Sequence, residues 1–309
     1  MTVRNFAGRQ VLAKQATIGF LGATTPSVWQ AFVETFETGL QRHGWFDGTN
    51  IAIDYEWAGG DPRQFGRIAK KFARRGVDVI VTSGTGPVLA AIAAAGNIPI
   101  VYAAAGDPKN TGLLAKGKGT VVGFSNRQTD LAIHRLDRLH KLVPQIDDLG
   151  ILGNGGVKNV NLEMDKLVAR AKQFKMRTQV ADVRKVSEIA PKIKAMKGKV
   201  DALFVCTDPF VTTHHIAINI AAAAAGLPTI HAFREYVEGG GLASYGPDFR
   251  EMFDGAADLV DQILRGARGK EIKVRDIRKG QKDQIVINRS TAKALGVKIP
   301  KGIKATMIG

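Results

Sequence analysis

One cysteine in 309 residues, Cys206, leaves no partner for an intrachain disulfide and no multi-thiolate metal site. Aromatic residues make up only 7% of the chain. They are nearly absent from its two most basic stretches, Lys166–Lys199 and Arg265–Lys304. The net charge of +16 therefore reads as a solvated basic surface, because single-stranded nucleic acid needs aromatic platforms on which bases stack. No apolar run approaches the roughly 20 residues of a membrane span. The longest candidate, around Ile216–Leu227, is mostly alanine and reads as a packed helix. Met1–Gln15 carry Arg4, Arg9 and Lys14 and lack the apolar core, about 7–15 residues long, of a secretory signal.

Motifs of catalysis are missing as well. No G-x-x-x-x-G-K-[ST] loop occurs, and Ser83-Gly-Thr-Gly-Pro lacks the third glycine of a dinucleotide fingerprint, so no cofactor is expected. There is no G-x-S-x-G elbow, and none of the six histidines sits beside a nucleophile in a recognised pairing. His214 and His215 are adjacent on a helix, point in different directions and do not chelate one metal well.

What is present is a repeat. At 309 residues two domains are the prior expectation. Each half alternates short β-branched runs with helical periodicity, the pattern of a parallel α/β sheet. The first half predicts strands at Thr17–Leu21, Ile51–Trp57, Val77–Thr82 and Ile98–Ala103. The helix between the first two carries Val28, Phe32, Phe36 and Leu40 at fourfold spacing behind Thr25 and Pro26. The second half replays the order, with strands at Leu149–Leu152, Arg177–Val183 and Val200–Cys206. Val200-Asp-Ala-Leu-Phe-Val matches Val77-Asp-Val-Ile-Val-Thr, and Gly226-Leu-Pro-Thr-Ile matches Gly96-Asn-Ile-Pro-Ile. Two copies of one Rossmann-like lobe follow, with parallel sheets flanked by helices.

Ligands of such sheets bind at the carboxyl ends of the strands, which selects the candidate residues. Thr25, Ser27, Ser83 and Thr85 stand where helix N-termini offer N–H donors to a carboxylate. Asp107 and Asp208 follow strands and suit a ligand ammonium, or else cap a helix or turn. Arg234 suits a carboxylate, or else a local ion pair. Trp57 and Phe210, with Trp29, Tyr102 and Tyr236, flank the same loops and either stack on a flat ligand or pack internally. Asn154, in a glycine-rich loop, suits a polar ligand group.

The chain also resembles a known family. Ile18-Gly-Phe-Leu-Gly, Gly44-Trp-Phe-Asp-Gly-Thr-Asn50, Ile53-Asp-Tyr-Glu-Trp-Ala58, Gly106-Asp-Pro, Asp208-Pro-Phe, Arg234-Glu-Tyr-Val-Glu-Gly-Gly-Gly-Leu242 and Ser244-Tyr-Gly-Pro247 are similar to the ABC transporter substrate-binding family of the type 1 periplasmic-binding-protein superfamily. The resemblance runs from about residue 16 to 303. It implies a three-crossover hinge near Val121–Asn126, Ala243–Pro247 and Ile277–Gln284. Lobe 1 would span 16–123 with about 247–276 returning to it, and lobe 2 124–246 with about 277–309 returning, after a tail at 1–15. It further implies a periplasmic protein that passes a small ligand to a membrane permease. The strand-end groups favour an amino acid or aromatic carboxylate, and the missing motifs and scarce aromatics favour a non-enzymatic protein, expected as a monomer, that binds no nucleic acid. The alternatives are a cytoplasmic ligand sensor of the same fold and, further off, an enzyme with its site in the cleft.

Overall fold

The fold, given by a computed structural model, is described over residues 3–4, 10–11, 15–106, 121–272 and 284–309. A two-strand antiparallel ladder, β1 (Val3–Arg4) with β2 (Gln10–Val11), precedes the first lobe. That lobe runs β3 (Ala16–Gly22), α1 (Pro26–Arg42), β4 (Ile51–Trp57), α2 (Pro62–Arg75), β5 (Val79–Thr82), α3 (Thr85–Ala94), β6 (Ile100–Ala105) and β7 (Val121–Ser125). The strands form one parallel sheet in the order β4-β3-β5-β6-β7.

The chain then crosses to the second lobe. There follow α4 (Gln128–Leu142), β8 (Asp148–Gly153), α5 (Lys158–Gln173), β9 (Arg177–Asp182), α6 (Val186–Lys194), β10 (Ala202–Val205), α7 (Pro209–Thr213), α8 (His215–Ala225), β11 (Thr229–His231), α9 (Arg234–Glu238) and β12 (Ala243–Gly246). Next come α10 (Phe249–Leu264), which packs on α1 of the first lobe, then β13 (Gln284–Asn288), α11 (Arg289–Ala294) and β14 (Thr306–Ile308). The sheet order is β14-β13-β12-β11-β10-β8-β9. Strands β9-β8-β10-β11-β12 repeat the order of the first sheet strand for strand, as the duplicated sequence requires. The second sheet is extended by β13, antiparallel to β12, and by β14, parallel to β13.

Local chemistry explains the element ends. Asp61 caps α2 by accepting from the Arg63 N–H, Pro62 occupies the first turn, and Gly76 closes the helix at φ +64°. Thr25 stands at the N-cap of α1, yet its hydroxyl makes no cap bond and instead lies 3.2 Å from the Ser27 hydroxyl. The buried stripe of α1 is Trp29, Phe32, Phe36, Gly39 and Leu40. Val28, expected in that stripe, is only half-buried and opens on the interlobe space.

Phe20, Phe36, Phe72 and Phe253 anchor the first core. In the second lobe the pleat sends alternate residues to opposite faces. Ile151 and Phe204 enter one cluster, Leu152, Leu203 and Val205 the other. Two crossings are described: β7 into α4 through Asn126 and Arg127, and β12 into α10 through Pro247 and Asp248. The third expected crossing lies outside the described residues apart from Gln284. Among the described residues no helix is long and apolar enough to cross a membrane.

Candidate functional site

The carboxyl ends of both sheets face a cavity of about 400 Å³ between the lobes. The first lobe contributes Thr24, the α1 residues Val28, Trp29 and Phe32, Gly60, Phe65, Ser83 to Gly86, Ala104 and Gly106. The second contributes Asn154, Asn159, Thr207 to Phe210, Thr212, His215, Phe233, Glu235 and Tyr236. Asn126, Gln128 and Phe249 come from the two crossings.

Seven of the residues expected from the sequence meet here: Trp29, Ser83, Thr85, Asn154, Asp208, Phe210 and Tyr236. The Ser83 hydroxyl donates to Ala104 O at 3.2 Å, and the Thr85 hydroxyl to Gly106 O at 3.1 Å. Both side chains thereby tie β5 to β6, and the N-terminus of α3 is aimed into the cavity with Gly84 at φ +97°. Asn154 Oδ1 accepts from the Gly156 N–H at 3.0 Å and shapes the loop before α5.

Asp208 is the most informative group. Its Oδ1 caps α7 by accepting from the Val211 N–H at 2.9 Å. Oδ2 is buried and has no hydrogen-bond partner. Burial pushes the carboxyl up to about 7, against the hydrogen bonds from the Val211 and Phe210 N–H groups and with a further push from Glu163. Asn126 Oδ1 and Thr207 Oγ1, on residues that also line the cavity, are likewise buried and lack partners. Buried polar atoms are normally paired, so three unpaired oxygens on cavity-lining residues suit a ligand with several polar groups.

The remaining candidates are placed elsewhere. Thr25 and Ser27 bond each other and do not line the cavity. Trp57 pairs with Gly22 in register, and its ring lies over the space a Cβ on that glycine would fill. It packs among Phe20, Trp29 and Tyr55 on the helix-covered face of the sheet. Tyr102 is core of the same lobe. The Arg234 guanidinium pairs with Glu238 one helical turn on, Nε to Oε1 at 2.7 Å, and lines a smaller cavity of about 150 Å³ beside the second crossing. Asp107 lies outside the described residues.

A buried network backs the wall from the second lobe. Gln128 Nε2 donates to Glu163 Oε2 and to Thr207 O, both at 2.7 Å. Gln128 Oε1 accepts from Asn159 Nδ2 at 2.8 Å. Cys206, at the end of β10, is fully buried, and desolvation with the nearby Glu163 charge pushes its thiol well up. No group of three or more His, Cys, Asp or Glu side chains able to hold a metal occurs among the described residues.

Sequence reasoning missed Gln128, Asn126, Thr207 and Glu235. Thr207 and Glu235 were within reach of it, since each sits one position from a residue singled out at a strand end. Asn126 closes the crossing expected at Val121–Asn126, and Gln128, two residues further on, leaves no such signal.

Comparison with known proteins identifies the family. A tyrosine-binding protein of Clostridioides difficile (strain R20291) is 30% identical over 264 residues, covering 84% of this chain and 75% of that protein. The structure of an ABC domain in complex with L-Trp from Streptococcus pneumoniae superposes with a TM-score of 0.85 at 24% identity, over 96% of this chain and 100% of that one. A ligand-free, open substrate-binding protein with adhesive properties from Clostridium difficile gives a TM-score of 0.63 at 25% identity, over 95% and 99%. Residues 25–307 match the model of a family of binding proteins rather than enzymes. The chain belongs to the ABC transporter substrate binding protein family.

Proposed function

We propose that the protein captures an aromatic amino acid between its lobes and delivers it to an ABC permease from the outer side of the cytoplasmic membrane. The observation that carries this reading is Asp208, a cavity-lining residue whose buried Oδ2 has no partner, which fits a ligand ammonium. Ser83, Thr85 and the N-terminus of α3 suit the carboxylate from the opposite lobe. Phe32, Phe65, Phe210, Phe233 and Phe249 supply an apolar wall for a ring. The relative that binds tyrosine supports the ligand class.

The lobe division expected from the sequence gives the two bodies of the motion: 16–123 with about 247–276, against 124–246 with about 277–309. A ligand gripped by both lobes favours the closed arrangement by its differential affinity for it, and closure is the signal a permease can read. Calorimetry with L-tyrosine, L-tryptophan and L-phenylalanine tests the reading. Asp208→Asn keeps the α7 cap and removes the charge, so affinity should fall by about 2–5 kcal/mol. Unchanged affinity in that variant, for an amino acid that binds the wild type, would place the ammonium elsewhere.

A further inference from the structure

We propose that Glu235 determines specificity: it accepts a hydrogen bond from a donor on the ligand's ring, so hydroxyphenyl or indolyl side chains are taken over plain phenyl. This rests on the reading of the cavity as an aromatic amino-acid site.

The argument starts from position. In the second sheet β11 lies next to β10, and neighbouring strands are about 4.8 Å apart. Asp208 follows β10, and Glu235 follows β11. A ligand held by its ammonium at Asp208 thus meets Glu235 one strand further toward the second crossing. The surroundings there are aromatic: Phe233 and Phe249 have ring centroids 4.4 Å apart, and Phe32 and Phe249 5.1 Å. Glu235 and Phe249 both line the main cavity and the smaller one behind it. Glu235 is therefore the carboxylate in the wall between the two.

Its charge is poorly answered from within. Arg250 Nε stands 3.9 Å from Oε1, beyond hydrogen-bond distance. The guanidinium of neighbouring Arg234 is bonded to Glu238, and Glu238 and Asp248 add like charge. Burial then pushes the Glu235 carboxyl up to about 7, with its own backbone N–H the leading opposing group. The side chain keeps 21% of its exposure, and a carboxyl so largely withdrawn from water is unfavourable unless a donor reaches it. A phenol O–H or indole N–H supplies that donor, whereas a phenyl ring covers the carboxylate and leaves it unpaired. A site built to hydrogen-bond a substrate group discriminates strongly against the analogue lacking it.

Calorimetry with L-tyrosine, L-tryptophan and L-phenylalanine on the wild type, Glu235→Leu and Glu235→Gln decides the matter. The wild type should bind tyrosine or tryptophan at least ~10-fold tighter than phenylalanine. Glu235→Leu should lose that preference by weakening the donor-bearing ligands ~10- to 100-fold while leaving phenylalanine unchanged or tighter. Should Glu235→Leu fail to fold, Glu235→Gln keeps the shape and should still lower the preference by at least ~3-fold. Equal wild-type affinity for all three ligands, or a preference unaltered in the variants, overturns the proposal alone. Failure of all three to bind the wild type overturns the reading of the cavity and this proposal with it.

Discussion

Arg135 Nη1 lies 2.6 Å from Glu163 Oε1, and the two side chains are 1% and 0% exposed. Arg135 Nη2 also donates to Gln128 O at 2.9 Å, so the pair holds the residue whose amide reaches Thr207 and Asn159. Desolvation raises the Glu163 carboxyl, opposed by the guanidinium and the Gln128 amide.

Removing one partner of such a pair strands a charge, which typically costs about 3–5 kcal/mol. Glu163→Leu should show a loss of that size in urea denaturation. The double variant Glu163→Leu/Arg135→Met should recover most of it, because no buried charge remains. Ligand affinity should nevertheless stay below wild type in the double variant, since Gln128 has lost its anchor. Wild-type affinity there would show that the network supports the lobe and does not shape the cavity.

Asp208 sets a pH dependence of stability. In the folded chain its carboxyl holds a proton to about pH 7, against an ordinary value of 3.8. The folded state thus binds the extra proton between these values, and its stability falls as pH rises through that interval. Glu235, also raised to about 7, acts in the same direction. Buried His231, lowered to about 3, acts oppositely and removes stability as pH falls below 6.5. Asp208→Asn should therefore raise the melting temperature of the ligand-free protein at pH 8 more than at pH 5. An equal change at both values would mean that the carboxyl does not titrate near neutrality.

The lobes also touch at Gly60. A Cβ on Gly60 would stand 2.8 Å from Thr213 Oγ1 and 3.1 Å from Pro209 O, so the first lobe meets α7 with bare backbone. Thr213 does not line the cavity. Thr213→Trp should hold the lobes apart and weaken the ligand by about 10-fold or more through a penalty on the closed state. Small-angle scattering should then report a larger radius of gyration than wild type at saturating ligand. Unchanged affinity and radius would exclude this contact from closure.

The fold was legible because two periods alternate along the chain, and because a repeated block carries its strand order with it. The site was legible where it is local. Ser83, Thr85, Asn154 and Asp208 stand in loops that leave strand ends, and strand ends build the cavity. Trp57 takes the internal of its two expected places because its side-chain direction depends on register against Gly22, which no local pattern states. Arg234 had its answer one turn away in Glu238, an i,i+4 partner visible in the sequence. Arg135 and Glu163 look like ordinary helix charges. Their burial depends on the packing of α4 against α5, which sequence spacing does not reveal.

Cys206 gives the molecule a built-in clock. Its thiol lies at the end of β10 beneath the cavity wall, sealed from solvent and held protonated. An alkylating reagent can reach it only when the second lobe opens. The rate of modification under native conditions thus times that opening from a single atom, with no label introduced. With one sulfhydryl in the chain, every adduct counted by mass spectrometry reports the same event.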